Sequence, residues 1–169
     1  MSTVTAKSVA LVVKSAGEIV GKTRLQKTFA LLEMTGVGFG FSFDYHLFGP
    51  FSEDLTITAD RAVALGYISE KQGRAKWGGL YSVYGSDRRE SSGNLERDQI
   101  IEIAKDADSI VLELAATAAF LASQGEADPW GELAARKPEK VTRARLSQAK
   151  ELYREFMRVN TPVKLPAII

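Results

Sequence analysis

The chain has 169 residues, 45% of them hydrophobic and 25% charged, with a formal net charge of +1. This is ordinary globular usage, enough for one domain with its own core, and near-neutrality supplies no whole-molecule field toward nucleic acid or an anionic membrane. Cysteine is absent, which excludes disulfides, thiolate nucleophiles and cysteine-held zinc and fits a cytoplasmic setting.

In chain order, Ala6–Ala16 reads as a first helix, with Val9, Val12, Val13 and Ala16 on one face and Gly17 as its stop. The N-terminus lacks the basic start and long apolar core of a signal peptide. Thr23-Arg24-Leu25-Gln26 has the form of a capping box opening a second helix, with Leu25, Phe29 and Leu32 inward. Lys22, Arg24 and Lys27 gather at its head, the end where the helix dipole disfavours positive charge. Solvated side chains are the ordinary reading; a partner bearing negative charge is the sharper one.

Gly36, Gly38 and Gly40 break that helix. They precede a strand instead of opening a helix, so they do not form a dinucleotide fingerprint. Phe41, Phe43 and Tyr45 alternate with Ser42, Asp44 and His46, the period of a half-buried strand. Phe48-Gly49-Pro50-Phe51 then turns the chain. Ser52 caps a third helix with Glu53 and Asp54 in its first turn and Gly66 at its end. Tyr67–Lys71 and Leu80–Tyr84 form a hairpin whose tip carries Arg74, Lys76 and Trp77. The order of helix, bend, helix and hairpin is that of a winged helix. The basic, aromatic tip suits a partner, although a Trp77 packed back on the body is slightly favoured.

Gly85–Gly93 is polar and without apolar period, the best linker candidate. Helices follow at Leu95–Ala107, at Ser109–Ser123 (apolar on nearly every side and hence central), at Trp130–Lys137 after the Asp128-Pro129 start, and at Thr142–Arg158. The apolar run Ile110–Ala122 is too short to cross a bilayer, and no membrane partner is expected. The tail TPVKLPAII is expected to lie extended. The fold class is therefore mainly α (α+β): one domain over 1–169, with a winged-helix-like part at 6–84 and a helical part at 95–158.

TRLQK at a helix start, then YHLFGPFS, then a helix ending in LGYI, resemble the bacterial YwgA-like proteins and, more distantly, the Panacea domain of antitoxins and phage-defence modules. LELAATAAFL and ARKPEKVTRARLSQAKELYREF are similar to the C-terminal helices of the YwgA-like group, so the resemblance runs from Ala6 to Met157. It implies a compact, mainly helical fold that binds another protein, with toxin neutralisation as the Panacea precedent. It implies no catalytic residues.

Chemistry is sparse. His46 is the one histidine, and Asp44 or Glu53 could orient it as a base; a hydrogen-bonded histidine at a strand end is strongly favoured. No metal-ligand spacing accompanies it, so no metal, cofactor or catalytic residue is expected. Glu113 has apolar and small neighbours at helical spacing, so a carboxylate buried there must be paired, hydrogen-bonded or protonated; a buried ion pair with Arg24 or Lys27 that joins the two halves is favoured over a site acid. Between Arg136 and Arg158 eight bases face three acids. A solvated stripe is the ordinary reading; phosphate or an acidic protein is the sharper one.

The expected function is a non-enzymatic protein-interaction module, an antitoxin or defence-associated component. Its partner-binding set is Lys22, Arg24, Lys27, His46, Phe48, Arg74, Lys76 and Trp77. The alternative is a winged-helix DNA binder, with nucleic acid as a possible partner. It ranks lower because its recognition helix carries Glu53, Asp54 and Asp60 against Arg61.

Overall fold

A computed structural model describes residues 5–168. The N-terminal half runs α1 (Ala6–Ala16), β1 (Glu18–Val20), α2 (Lys22–Met34), β2 (Asp44–His46), β3 (Gly49–Phe51), α3 (Glu53–Ala64), β4 (Ser69–Arg74) and β5 (Leu80–Gly85). The second half is helical: α4 (Leu95–Asp106), α5 (Ser109–Ser123), α6 (Pro129–Arg136) and α7 (Arg143–Arg158). The fold is mainly α with a minor β part.

Most helix ends follow the local chemistry. Ser52, Asn94, Asp108, Asp128 and Thr142 each cap a helix through the side-chain oxygen. The second helix departs from expectation. It begins at Lys22 after Gly21, and Thr23 caps nothing. The Gln26 amide instead accepts from Ser52 N (2.8 Å) and donates to Ser52 O (2.9 Å) and Thr56 Oγ1 (3.0 Å). A buried backbone pair outcompetes a solvent-exposed capping box because its groups have no water to turn to.

Two strand readings are corrected. The three-residue β1 was not anticipated; it pairs antiparallel with β5 in the register Ile19↔Tyr84, and the sheet order is β1-β5-β4. The aromatic alternation from Phe41 becomes a strand only at Asp44. The amides of Phe39, Gly40 and Phe41 donate to Glu33 Oε1 (2.7, 2.9 and 3.1 Å), which removes them from any ladder. Phe41 packs edge-on against Phe29 instead, centroids 5.4 Å apart.

Residues 86–94 are not a loose linker. Asp98 accepts from Ser15 Oγ (2.9 Å), Ser91 Oγ (2.5 Å) and Ser92 N and Oγ (3.0 and 2.5 Å), and Arg89 donates to Ser15 O (2.8 Å). These hydrogen bonds hold Asp98 below the usual carboxylate range against the opposing effect of burial, the largest single influence on it. One buried cluster runs through both halves, from Val9 and Phe29 to Leu112, Leu133 and Phe156. The α5 helix lies at its centre, against α2, α6, α7 and β3. The tail is tied down, with Trp130 Nε1 donating to Ile168 O (2.6 Å) and Tyr153 OH to Pro166 O (2.5 Å). No described helix is long and apolar enough to cross a membrane.

Candidate functional site: the head of the second helix between two hairpin tips

The β2–β3 hairpin is clamped to the helices by bases. Lys27 Nζ donates to Pro50 O (2.8 Å) and Lys137 Nζ to Leu47 O (2.7 Å). Lys140 Nζ lies 4.4 Å from the centroid of the Phe48 ring, and the Arg136 guanidinium lies 4.6 Å from that of Tyr45. Gly49 has φ +90°, and a Cβ there would collide with Thr117 Oγ1 on α5. Only glycine lets the hairpin lie this close.

Glu113 stands beneath the hairpin, 3% exposed. Lys140 Nζ donates to both of its oxygens (3.0 and 2.8 Å), and Lys137 Nζ lies 3.1 Å from Oε2. Burial is as expected, but the partners are not Arg24 or Lys27. The chain leaving α6 crosses back over α5 and brings Lys137 and Lys140 to the carboxylate. Lys27 still feels the cluster. Burial depresses its pKa to about 8, Glu113 opposes this, and Lys137 and Lys140 push it further down.

The expected partner-binding residues therefore divide. Lys27 is 1% exposed and donates to Pro50, so it does not reach a partner. Arg24 donates to the carbonyls of Val20 (3.2 Å), Ala104 (2.8 Å) and Ala107 (2.5 Å), joining β1 to the end of α4. Burial lowers its pKa, with Asp108 and Asp106 opposing. Both are structural because carbonyls left at strand and helix ends need donors. His46 is exposed and stacks on Phe51 with centroids 4.9 Å apart. Arg74 reaches Gly78 O (3.3 Å) within its own hairpin, and Lys76 is exposed at that tip.

Lys22, at the head of α2, borders one cleft that Trp77 lines and another that Phe48 lines. Lys22 and Thr23 separate two clefts. One lies under the β4–β5 hairpin, bounded by Val20, Gln72, Trp77, Leu80, Tyr81 and Ser82. The other lies under the β2–β3 hairpin, bounded by Leu25, Gln26, Phe48, Phe51, Thr56 and Tyr84. Trp77 does not pack back on the body: it is 84% exposed, its indole over Gly79. Val20, Leu47, Leu80 and Tyr81 are also exposed and were missed by sequence reasoning. Their signal was weak, since apolar residues at a hairpin tip read as ordinary strand residues. The basic run after α6 also divides, because Lys137 is buried while Arg154 and Arg158 pair on the surface with Glu151 (3.1 and 3.5 Å). Among the described residues no group of three or more histidine, aspartate or glutamate side chains is placed to hold a metal ion.

The chain is similar to the uncharacterized protein YwgA of Bacillus subtilis (strain 168), 33% identical over 70 residues. That stretch is 41% of this chain and 41% of YwgA, so the chain spans less than half of that relative's length. The match supports the YwgA-like part of the resemblance. The Panacea likeness rests on the motifs alone. No protein-family model and no solved structure matches the chain.

Proposed function

We propose that this chain is a non-enzymatic protein-interaction module that docks a partner protein across the head of α2. The observation that carries this reading is the set of apolar side chains left bare at two neighbouring hairpin tips: Leu47 (87% exposed) and Phe48 (54%) on one, Trp77 (84%) and Leu80 (62%) on the other. Clustered exposed apolar surface is costly unless something covers it. The first tip is held by Lys137 and Lys140, and the second is the end of the two-stranded β4–β5 ribbon, anchored further down where β1 pairs with Val83–Gly85. The motif resemblance favours a toxin or another defence component as the partner.

The test is affinity capture from the native cell with the parent, Leu47→Asp and Trp77→Asp. The expected result is a stoichiometric protein held by the parent and lost by both variants, whose urea midpoints stay unchanged. Nucleic acid alone, or equal capture by all three, would overturn the reading. For the finer assignment, co-expression with the product of a neighbouring toxin-like reading frame should relieve growth arrest.

A winged-helix DNA binder is the second reading, favoured by one observation. The order α1-β1-α2-α3-β4-β5, with β1 against β5, suits a winged helix interrupted by the β2–β3 hairpin. The α3 helix would be the reader, yet it exposes Glu53, Asp54 and Asp60 beside Arg61, a poor surface for phosphate. Duplex binding that weakens steeply with salt would restore this reading.

A further inference from the structure

We propose that the cleft between α2, β3, α3 and β5 is the specificity pocket of the docking face, receiving one bulky apolar side chain of the partner beside a partner carboxylate held by Lys22. This rests on the interaction reading above and names the chemistry of the partner. The cleft holds about 290 Å³. Its walls include Leu25, Phe48, Phe51 and Tyr84. Two of its polar side chains are already engaged. Gln26 is bound to Ser52 and Thr56, and the Lys27 amine is turned to Pro50 O. A guest gains by removing apolar surface from water and finds few donors or acceptors to satisfy.

Charge decides what flanks the guest. Lys22 stands exposed on the rim, and among the described residues it forms no ion pair. The first turn of α2 contains no acid. Arg24 is bound to three carbonyls, and Glu113 is shared by Lys137 and Lys140. Among the described residues Lys22 is therefore the positive group left free at this mouth. A partner carboxylate answers it, whereas a partner lysine would be repelled. The second cleft continues from the other side of Lys22 over Val20, Leu80 and Trp77, so a chain segment can cross the head of α2. That continuity favours a protein segment over an isolated small molecule.

The test is an amide NMR titration of the full chain with three probes: N-acetyl-phenylalanine, its carboxamide, and acetate. The first is expected to shift amides in 22–27 and 48–56 and to bind about 2- to 5-fold tighter than the carboxamide, the worth of an exposed ion pair. Acetate alone should give no saturable shift there. Lys22→Gln, a change at an exposed side chain, should reduce the acid to the affinity of the carboxamide. Shifts confined elsewhere, or equal affinity for acid and carboxamide, would overturn the assignment. Thr56→Trp, which fills the cleft, keeps the two proposals apart. A partner captured equally by the parent and a folded Thr56→Trp leaves the interaction reading standing and removes the pocket. Acid-selective binding in the cleft with no partner captured by the parent leaves the cleft's chemistry but overturns the interaction reading and the docking role that rests on it.

Discussion

Replacing Glu113 by Gln tests the cluster that seats the β2–β3 hairpin. The substitution keeps shape and one acceptor but removes the charge that Lys137 and Lys140 share (3.1 and 2.8 Å). The Lys140 side chain is 21% exposed and can turn to water; the Lys137 side chain is 3% exposed and cannot. One buried ammonium is therefore left without its counter-charge. Breaking a buried pair from one side costs about 3–5 kcal/mol. The retained amide oxygen places the expectation at the lower end, about 3 kcal/mol. With a urea slope near 2 kcal/mol/M for a chain of this size, the midpoint should fall by about 1.5 M. Equilibrium urea unfolding followed by far-UV circular dichroism measures this directly. Adding Lys137→Met removes the stranded ammonium and should recover part of the loss, about 0.5–1 M of the midpoint, the remainder reflecting the lost hydrogen bond to Leu47 O. A fall of less than about 0.5 M for the single variant, or no recovery in the double, would refute the buried-pair account.

Lys27 gives a pH signature. Its folded pKa is about 8 against an ordinary 10.5, so between those values the unfolded chain binds more protons and stability rises with pH. A penalty of at most about 3 kcal/mol is felt in full below pH 8 and fades toward pH 10.5. Urea midpoints at pH 8, 9 and 10 should rise for the parent relative to Lys27→Met; parallel profiles would refute this. The scan stops at pH 10 because Tyr84, raised to about 12 by burial, then ionises first in the unfolded chain and reverses the trend. Gln26→Leu strands Ser52 N–H and C=O in a buried site and should cost about 2–4 kcal/mol by thermal or urea unfolding. Gly49→Ala should destabilise by about 2 kcal/mol or more through its positive φ and the collision with Thr117, with Gly49→Ala/Thr117→Ala recovering only the steric share.

Helix boundaries were the most legible part of this chain because their signals are local. Gly17 and Gly125 end helices, Ser52 and Thr142 cap them, and Asp128-Pro129 opens one, wherever the chain lies in space. The burial of Glu113 was legible for a similar reason, since Ile110, Ala116, Thr117 and Phe120, its neighbours at helical spacing, are apolar or small. Three residues cannot show a period, so β1 was invisible until β5 lay beside it. The aromatic alternation before Asp44 was misleading because Glu33, several residues upstream, takes the amides a strand would have used.

Local residue patterns fix most helix ends, the central place of α5, and the need of its buried acid for a compensating partner. The packing of the elements sets that partner. Lys27 and Lys137 look alike in sequence, as bases near helix ends, yet one ends on the Pro50 carbonyl and the other on Glu113 and Leu47. It also sets that Lys22 forms no ion pair among the described residues while Arg24, two residues on, is bound to three carbonyls. The reason is that a lysine or arginine head lies several bonds from its backbone. Its partner depends on which strand or helix folds over it, which no local pattern of residues records.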